Sequence, residues 1–309
     1  MCIRDRKCIL GLFEGVVTGA ADGYYRMTDK PACTLLHLGP GLANGLANLH
    51  NAKKANSGIV NIIGQHTLDH LKLESPLTSD IEAIAKPVSH WVKTSKSSKE
   101  VSADGAKAIE IAKTAPGKIS SLILPADTAW GIGGEIVQSN KPKPRSKVNK
   151  DIIIKIAKVL MSGNNSTLVL GGSALNEKCT ELAGRIAKKT GCGIITEAAN
   201  SKLSRGAGRV KMLRIPGAGV VEKAIQMLEK AGQLVLVGSK PPVAFFGYPD
   251  KPSLLYKKDT PIHILAEIDE DIFLALNDLS QELDAINLSP DYVACLLYTS
   301  PSPRDGLLS

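Results

Sequence analysis

The feature that most constrains the fold is a recurring unit made of a short apolar run, a glycine-bearing turn and a stretch with helical periodicity. CILGLF leads into EGVVTGAADGYYRM, ACTLLHL passes through GPG into LANGLANLHNAKKA, SGIVNII runs into GQHTLDH, and ISSLIL runs into PAD. Short aliphatic runs alternating with helical stretches read as βα units, and such units build a parallel sheet covered by helices on both faces. From Gly131 to Lys150 the periodicity stops, and GIGGEIVQSNKPKPRSKVNK has the glycine, proline and charge of a linker. The alternation then restarts with helix DIIIKIAKVLMS, strand STLVLGG, helix LNEKCTELAGRIAKKT and strand GIITEA. Helix VVEKAIQMLEKA and strands QLVLVGS and PIHILAE follow, ahead of DIFLALNDLSQEL. The expected class is α/β, with two parallel-sheet three-layer domains over 7–130 and 151–294 and a linker at 131–150.

The ends are read apart from this pattern. MCIRDR and CLLYTSPSPRD have the sequence of translated library-adaptor ends, so 1–6 and 295–309 are expected to be artefactual tails and are left out of fold reasoning. Cys2 and Cys295 go with them. The remaining Cys8, Cys33, Cys179 and Cys192 show no CxxC spacing, which argues against a cysteine metal site and for a reducing compartment.

The formal charge is +8, but the lysines are scattered. The densest cluster, Lys93, Lys96 and Lys99 in WVKTSKSSKE, is interleaved with serine instead of aromatic residues. It reads as a solvated approach to a helix, so no nucleic-acid partner is expected. No apolar run has the length of a membrane span, so no membrane partner is expected either, and the cytoplasm is the expected location.

Chemistry concentrates in the first domain. Glu14 stands where an apolar run turns into a helix, among Leu12, Phe13, Val16 and Val17. Apolar surroundings of that kind would raise a carboxyl pKa, although a glutamate in a first helical turn also complements the helix dipole without further function. Ala21, Asp22, Gly23, Tyr24 and Arg26 follow, then Lys30 and Pro31, then a strand ending in His37, the Gly39-Pro40-Gly41 turn and Asn44. A histidine at the C-terminal end of a parallel strand lies where open α/β sheets bind ligands. Gln65, His66 and His70 after the third apolar run belong to the same edge and are substrate-pocket candidates. His66 and His70 are spaced for a metal only if helical, and no third ligand matches, so no metal is assigned to these residues. Asp22 and Arg26 are read as structural.

This order of residues closely resembles the pyrimidine-binding domain of thiamine-diphosphate-dependent enzymes, in the branch of acetolactate synthase large subunits and benzoylformate decarboxylase. The resemblance runs from about Cys8 to Trp130, and the second domain, with VGSKPPVAFFGYPDKPS, looks like that family's Rossmann-like central domain. It implies thiamine diphosphate as cofactor and Glu14 as the carboxylate that favours the imino form of its aminopyrimidine, so that a cofactor carbanion can attack a 2-oxo acid. Glu14, Gly39, Pro40, Gly41 and Asn44 would be cofactor-binding, and His37, which matches a histidine of benzoylformate decarboxylase, would be catalytic with Glu14. The family also implies Mg2+ held by a C-terminal diphosphate-binding domain whose Gly-Asp-Gly and asparagine pattern is not found in this sequence. It further implies a homo-oligomer with the active site at the subunit interface. The chain is therefore expected to be a fragment, inactive alone, of an acetolactate synthase-like transferase or a benzoylformate decarboxylase-like lyase acting on a small 2-oxo acid.

LVLGGSA at Leu168 to Ala174 has a Rossmann-like strand and glycine turn, but neither the full G-x-G-x-x-G fingerprint nor a following acidic residue is legible. FAD on the second domain is left open, because some acetolactate synthases hold one there. Two readings from other classes also stay open: a non-catalytic binding module built from the same two domains, and a nucleotide-linked oxidoreductase using LVLGGSA.

Overall fold

A computed structural model describes residues 8–294, so the expected tails at 1–6 and 295–309 lie outside the described residues. The chain divides into two compact units between Pro144 and Arg145, inside the segment read as a linker. Each is a parallel-sheet α/β unit.

The first unit runs α1 (Glu14–Thr28), β1 (Ala32–Leu36), α2 (Leu38–Lys54), β2 (Ile59–Gln65), α3 (Ile81–Ala85), β3 (Trp91–Thr94), α4 (Val101–Lys113) and β4 (Ile119–Pro125). Its four strands are all parallel, in the order β1-β2-β4-β3. Side chains alternate between the two faces of a strand, and here that alternation makes two cores. Leu36, Ile59, Ile63, Ile119 and Ile123 pack with Ala21 of α1 and Leu42 and Leu49 of α2. Val60 and Leu122 pack with Ala108 and Ala112 of α4 on the other side. Helices thus cover both faces, as the βα pattern requires.

Polar side chains also occupy the first core in register. Thr34, Asn61 and Ser121 stand opposite one another on β1, β2 and β4. Thr34 Oγ1 donates to Asn61 Oδ1 at 2.7 Å, Asn61 Nδ2 donates to Ser121 Oγ at 3.2 Å, and Ser121 shares a 2.7 Å hydrogen bond with Ser89. The row is buried, so each group depends on its neighbour for hydrogen bonding.

Two local expectations fail. CILGLF forms no strand among the described residues, and Ile9, Leu10 and Leu12 are 81%, 87% and 96% exposed. β1 pairs only with β2 and its outer edge stays open, but the run does not join it, and an apolar run without a hydrogen-bonding partner does not make a strand. WVKT, read as part of a helix approach, is instead the edge strand β3, paired with β4 through Trp91↔Ser120 and Lys93↔Leu122. An edge strand needs only one neighbour and tolerates lysine, which hides it from a reading based on charge.

The second unit runs α5 (Lys150–Met161), β5 (Ser166–Leu170), α6 (Glu177–Thr190), β6 (Gly193–Thr196), β7 (Leu213–Arg214), α7 (Val221–Leu228), β8 (Gln233–Val237), β9 (Ile262–Ala266) and α8 (Ile272–Glu282). The strand order is β7-β6-β5-β8-β9, all parallel. Leu168, Leu170, Val235 and Val237 face α5, α6 and α8, while Val169, Leu234 and Leu236 face α7. Asn149, Asn176 and Asp271 cap α5, α6 and α8 by accepting from the Asp151, Cys179 and Leu274 amides. Among the described residues no helix is long and apolar enough to cross a membrane.

Candidate functional site

In the first unit the C-terminal ends of β1, β2 and β4 lead into His37, His66 and Ala126. That edge is where an open parallel sheet presents a ligand site. The packing of α1 on α2 brings Glu14 to it. Thr18 Oγ1 donates to the Gly45 carbonyl at 3.1 Å, and Asn48 Nδ2 donates to the Gly15 carbonyl at 2.6 Å. A Cβ on Gly45 would stand 2.8 Å from Thr18 Cγ2, so a glycine is needed where the helices approach.

One turn earlier on α2 the same closeness sets the carboxylate. Asn44 Nδ2 donates to Glu14 Oε2 at 3.1 Å. A Cβ on Gly41 would stand 3.0 Å from Glu14 Oε1 and 3.2 Å from His37 Cβ. Glu14, His37, Gly41 and Asn44 are therefore together. Gly39 faces Ser79 instead of Glu14, since a Cβ there would overlap Ser79 Oγ, and Pro40 is exposed.

The expected Gly39-Pro40-Gly41 turn is itself the first turn of α2. His37 is the N-cap, and its carbonyl accepts from the Gly41 amide at 2.8 Å. The reversal from strand to helix falls on Leu38, whose φ of 51° lies in the left-handed region. A leucine pays for that backbone only when its side chain is held, and Leu38 is buried in the first core.

The expected rise in the pKa of Glu14 is reversed. The hydrogen bond from Asn44 holds its carboxyl below the usual carboxylate range, helped by its own backbone amide and by the charge of His37, against a smaller opposing effect of burial. The expected enclosure is also missing: Leu12 is 96% exposed, Phe13 51% and Val16 62%, while Val17 packs against the first core. Within this chain the carboxyl is an ionised hydrogen-bond acceptor.

Gln65, His66 and His70 line the neighbouring edge. Gln65 is buried and its Oε1 accepts from the His66 amide at 2.9 Å, and the rings of His66 and His70 lie 5.5 Å apart. The sequence reading missed two residues here, Ser79 and Asp127. Asp127 Oδ2 accepts from the Leu68 amide at 3.4 Å. His66 Nε2, Ser79 Oγ and Asp127 Oδ1 are buried without a hydrogen-bond partner. Buried polar atoms are rarely left so, and three at one sheet edge suit a bound polar ligand. The only sequence signal for Asp127 was its place in PAD, directly after an apolar strand.

Asp22 and Arg26 are structural, as expected. They form an i,i+4 ion pair with Nη2 to Oδ2 at 2.6 Å, and Ser57 Oγ donates to Asp22 Oδ1 at 2.5 Å. Among the described residues no group of three or more His, Cys, Asp or Glu side chains could hold a metal ion.

Residues 3–86 match the family described as thiamine pyrophosphate enzyme, N-terminal TPP binding domain. The chain is 41% identical over 259 residues to a Mycobacterium tuberculosis protein provisionally named acetolactate synthase large subunit IlvX, a match covering 84% of this chain and 49% of that protein. It is 28% identical over 190 residues to benzoylformate decarboxylase of Pseudomonas aeruginosa, covering 60% of this chain and 36% of that one. In fold it resembles a thiamine diphosphate-dependent 4-hydroxybenzoylformate decarboxylase of Rhodococcus jostii, with a TM-score of 0.76 at 20% identity over 95% of this chain and 58% of that one. The chain thus spans about half the length or less of these curated relatives.

Proposed function

We propose, from the match of residues 3–86 to the N-terminal TPP binding domain of thiamine pyrophosphate enzymes, that the intact protein is an acetolactate synthase-like enzyme that decarboxylates a small 2-oxo acid. The observation that carries this reading is the Glu14 carboxylate, oriented by Asn44 over Gly41 with His37 beside it. When bound, thiamine diphosphate would supply a nucleophilic ring carbon for decarboxylation of a 2-oxo acid.

The residues present fit the pyrimidine half of that cofactor. Glu14 Oε1 lies close over Gly41, where a Cβ would crowd it at 3.0 Å, and the carboxylate would share a proton with a pyrimidine nitrogen. Asn44 would orient the carboxylate through its 3.1 Å hydrogen bond to Oε2, which also lowers the carboxyl pKa. His37, at the tip of β1, can hold or deliver a proton on the substrate side. Gln65, His66 and His70 would line the substrate pocket. Mg2+ is assigned to a diphosphate-binding domain outside this chain.

The full site requires a second subunit in this reading. The exposed Leu12, Phe13 and Val16 beside Glu14 are the surface a partner copy would cover, and covering them would remove water from the carboxylate and raise its pKa. A reducing, cytoplasmic location agrees with the unpaired thiols of Cys8, Cys179 and Cys192.

A benzoylformate decarboxylase-like lyase is the second reading, and the position of His37 beside Glu14 is what favours it. Full-length protein with thiamine diphosphate and Mg2+ should release carbon dioxide from pyruvate or benzoylformate. Replacing His37→Ala should lower that rate by about 10²-fold or more while leaving cofactor affinity nearly unchanged. Equal turnover of wild type and variant on both substrates removes His37 from the chemistry, and no carbon dioxide from any 2-oxo acid removes the enzyme reading.

A further inference from the structure

The second unit has the strand order of a dinucleotide-binding half-sheet, so its ligand crevice would lie at the C-terminal ends of β5 and β8, where the strand order reverses. Two glycine turns meet there. Gly172 and Gly238 have φ of 51° and 62°, and a Cβ on Gly171 would stand 2.7 Å from the Gly238 carbonyl oxygen. A flavin or nicotinamide dinucleotide would set its diphosphate against these turns, using backbone amides as donors.

A side chain of the protein already stands in that place. Glu197 follows the end of β6, where its amide donates to the Leu170 carbonyl at 3.2 Å. Its carboxylate reaches across β5 toward the turn after β8, and its Oε1 accepts from the Lys240 amide at 3.2 Å. Over Gly171, a Cβ would stand 2.7 Å from Glu197 Cδ and 2.8 Å from Oε2, so the first glycine of the turn serves the close approach of this carboxylate.

Four backbone donors around the crevice are already engaged by the protein. The Gly171 amide bonds to Val237, the Gly238 amide to Ala266 and the Ala174 amide to Gly171. At the start of α6 the Cys179 amide is capped by Asn176. Burial pushes the Glu197 carboxyl above its ordinary range, the Lys240 amide and charge opposing. Whenever it ionises, it sets a negative charge where a diphosphate would need positive ones.

We infer that Glu197 is an internal plug of the switch-point crevice, a carboxylate held where a dinucleotide's diphosphate would lie, and that the second unit takes neither a flavin nor a nicotinamide dinucleotide. This closes the possibility of FAD that LVLGGSA left open, and it stands independently of the chemistry proposed for the first unit. In a nucleotide-binding half-sheet an acidic residue after this strand would hold a ribose hydroxyl. Here its bond to Lys240, on the far side of β5, makes it a bridge across the crevice.

The test uses the whole 309-residue chain. Calorimetric titration with FAD, NAD and ADP should give no saturable heat with the wild type. Hydrogen exchange of the Lys240 amide should speed up about tenfold or more in Glu197→Ala, with the Gly238 amide as the unchanged internal control. Glu197→Asp, one methylene too short to bridge, should show the same release of Lys240 if the alanine variant does not fold. Saturable binding of any of the three nucleotides to the wild type overturns the inference, as does a Lys240 amide that exchanges equally fast in the wild type and the variant.

Discussion

At Glu14 one hydrogen bond is the largest influence on the carboxyl pKa. Asn44 is the first cause of the lowered carboxyl pKa, so Asn44→Ala should bring the Glu14 titration back up toward an ordinary glutamate. A carboxyl depressed in the folded state adds stability that is present above its unfolded pKa and lost as pH falls through the folded one. The variant should therefore lose that contribution at neutral pH and converge on the wild type as pH falls through the Glu14 titration. Carboxyl-carbon NMR titration measures the shift directly, and an unchanged Glu14 pKa would show that Asn44 does not hold the carboxylate. Glu14, Gly41 and Asn44 were legible as a set because their order along the chain carried the family resemblance. The direction of the Glu14 shift was not legible, because sequence neighbours such as Leu12 and Phe13 need not be neighbours of the carboxylate in space. Asp127 and Ser79 escaped for a related reason: an isolated polar residue after a strand becomes informative only when burial leaves it without a partner.

At the scale of elements, the βα pattern predicted most strands and helices because apolar runs bounded by glycine are unambiguous when both faces of a sheet are covered. It failed at the margins, where a strand's existence depends on a neighbour more than on its own residues. CILGLF lacked a partner, and WVKT gained one in β4. The buried row of Thr34, Asn61, Ser121 and Ser89 was also illegible, since cross-strand register cannot be read from one strand at a time. Asn61 is its link between β1 and β4. Asn61→Leu should leave the Thr34 hydroxyl and one side of Ser121 without partners and destabilise the first unit by about 1–3 kcal/mol. Urea unfolding followed by circular dichroism would measure this, and a variant as stable as the wild type would show that the row contributes nothing net.

For the whole molecule, the apolar residues around Glu14 are the clearest sign of something still to be covered. If a second copy covers them, full-length protein should sediment as a dimer or larger, and Leu12→Glu, which changes a 96% exposed side chain, should shift it toward the monomer without altering its circular dichroism. An unchanged sedimentation coefficient would place the subunit contact elsewhere. Both α/β units were readable from the sequence, whereas the plugged crevice of the second was not, because Glu197 lies far along the chain from the glycines it covers. In the proposed enzyme, Glu14 handles a proton on the pyrimidine half of thiamine diphosphate. The most direct measurement is the rate at which the cofactor's reactive ring proton exchanges with deuterium in full-length holoenzyme, wild type against Glu14→Gln, by acid quench and NMR. Exchange should be slower by about 10²-fold or more in the variant; exchange at the wild-type rate would mean that Glu14 moves no proton on the cofactor.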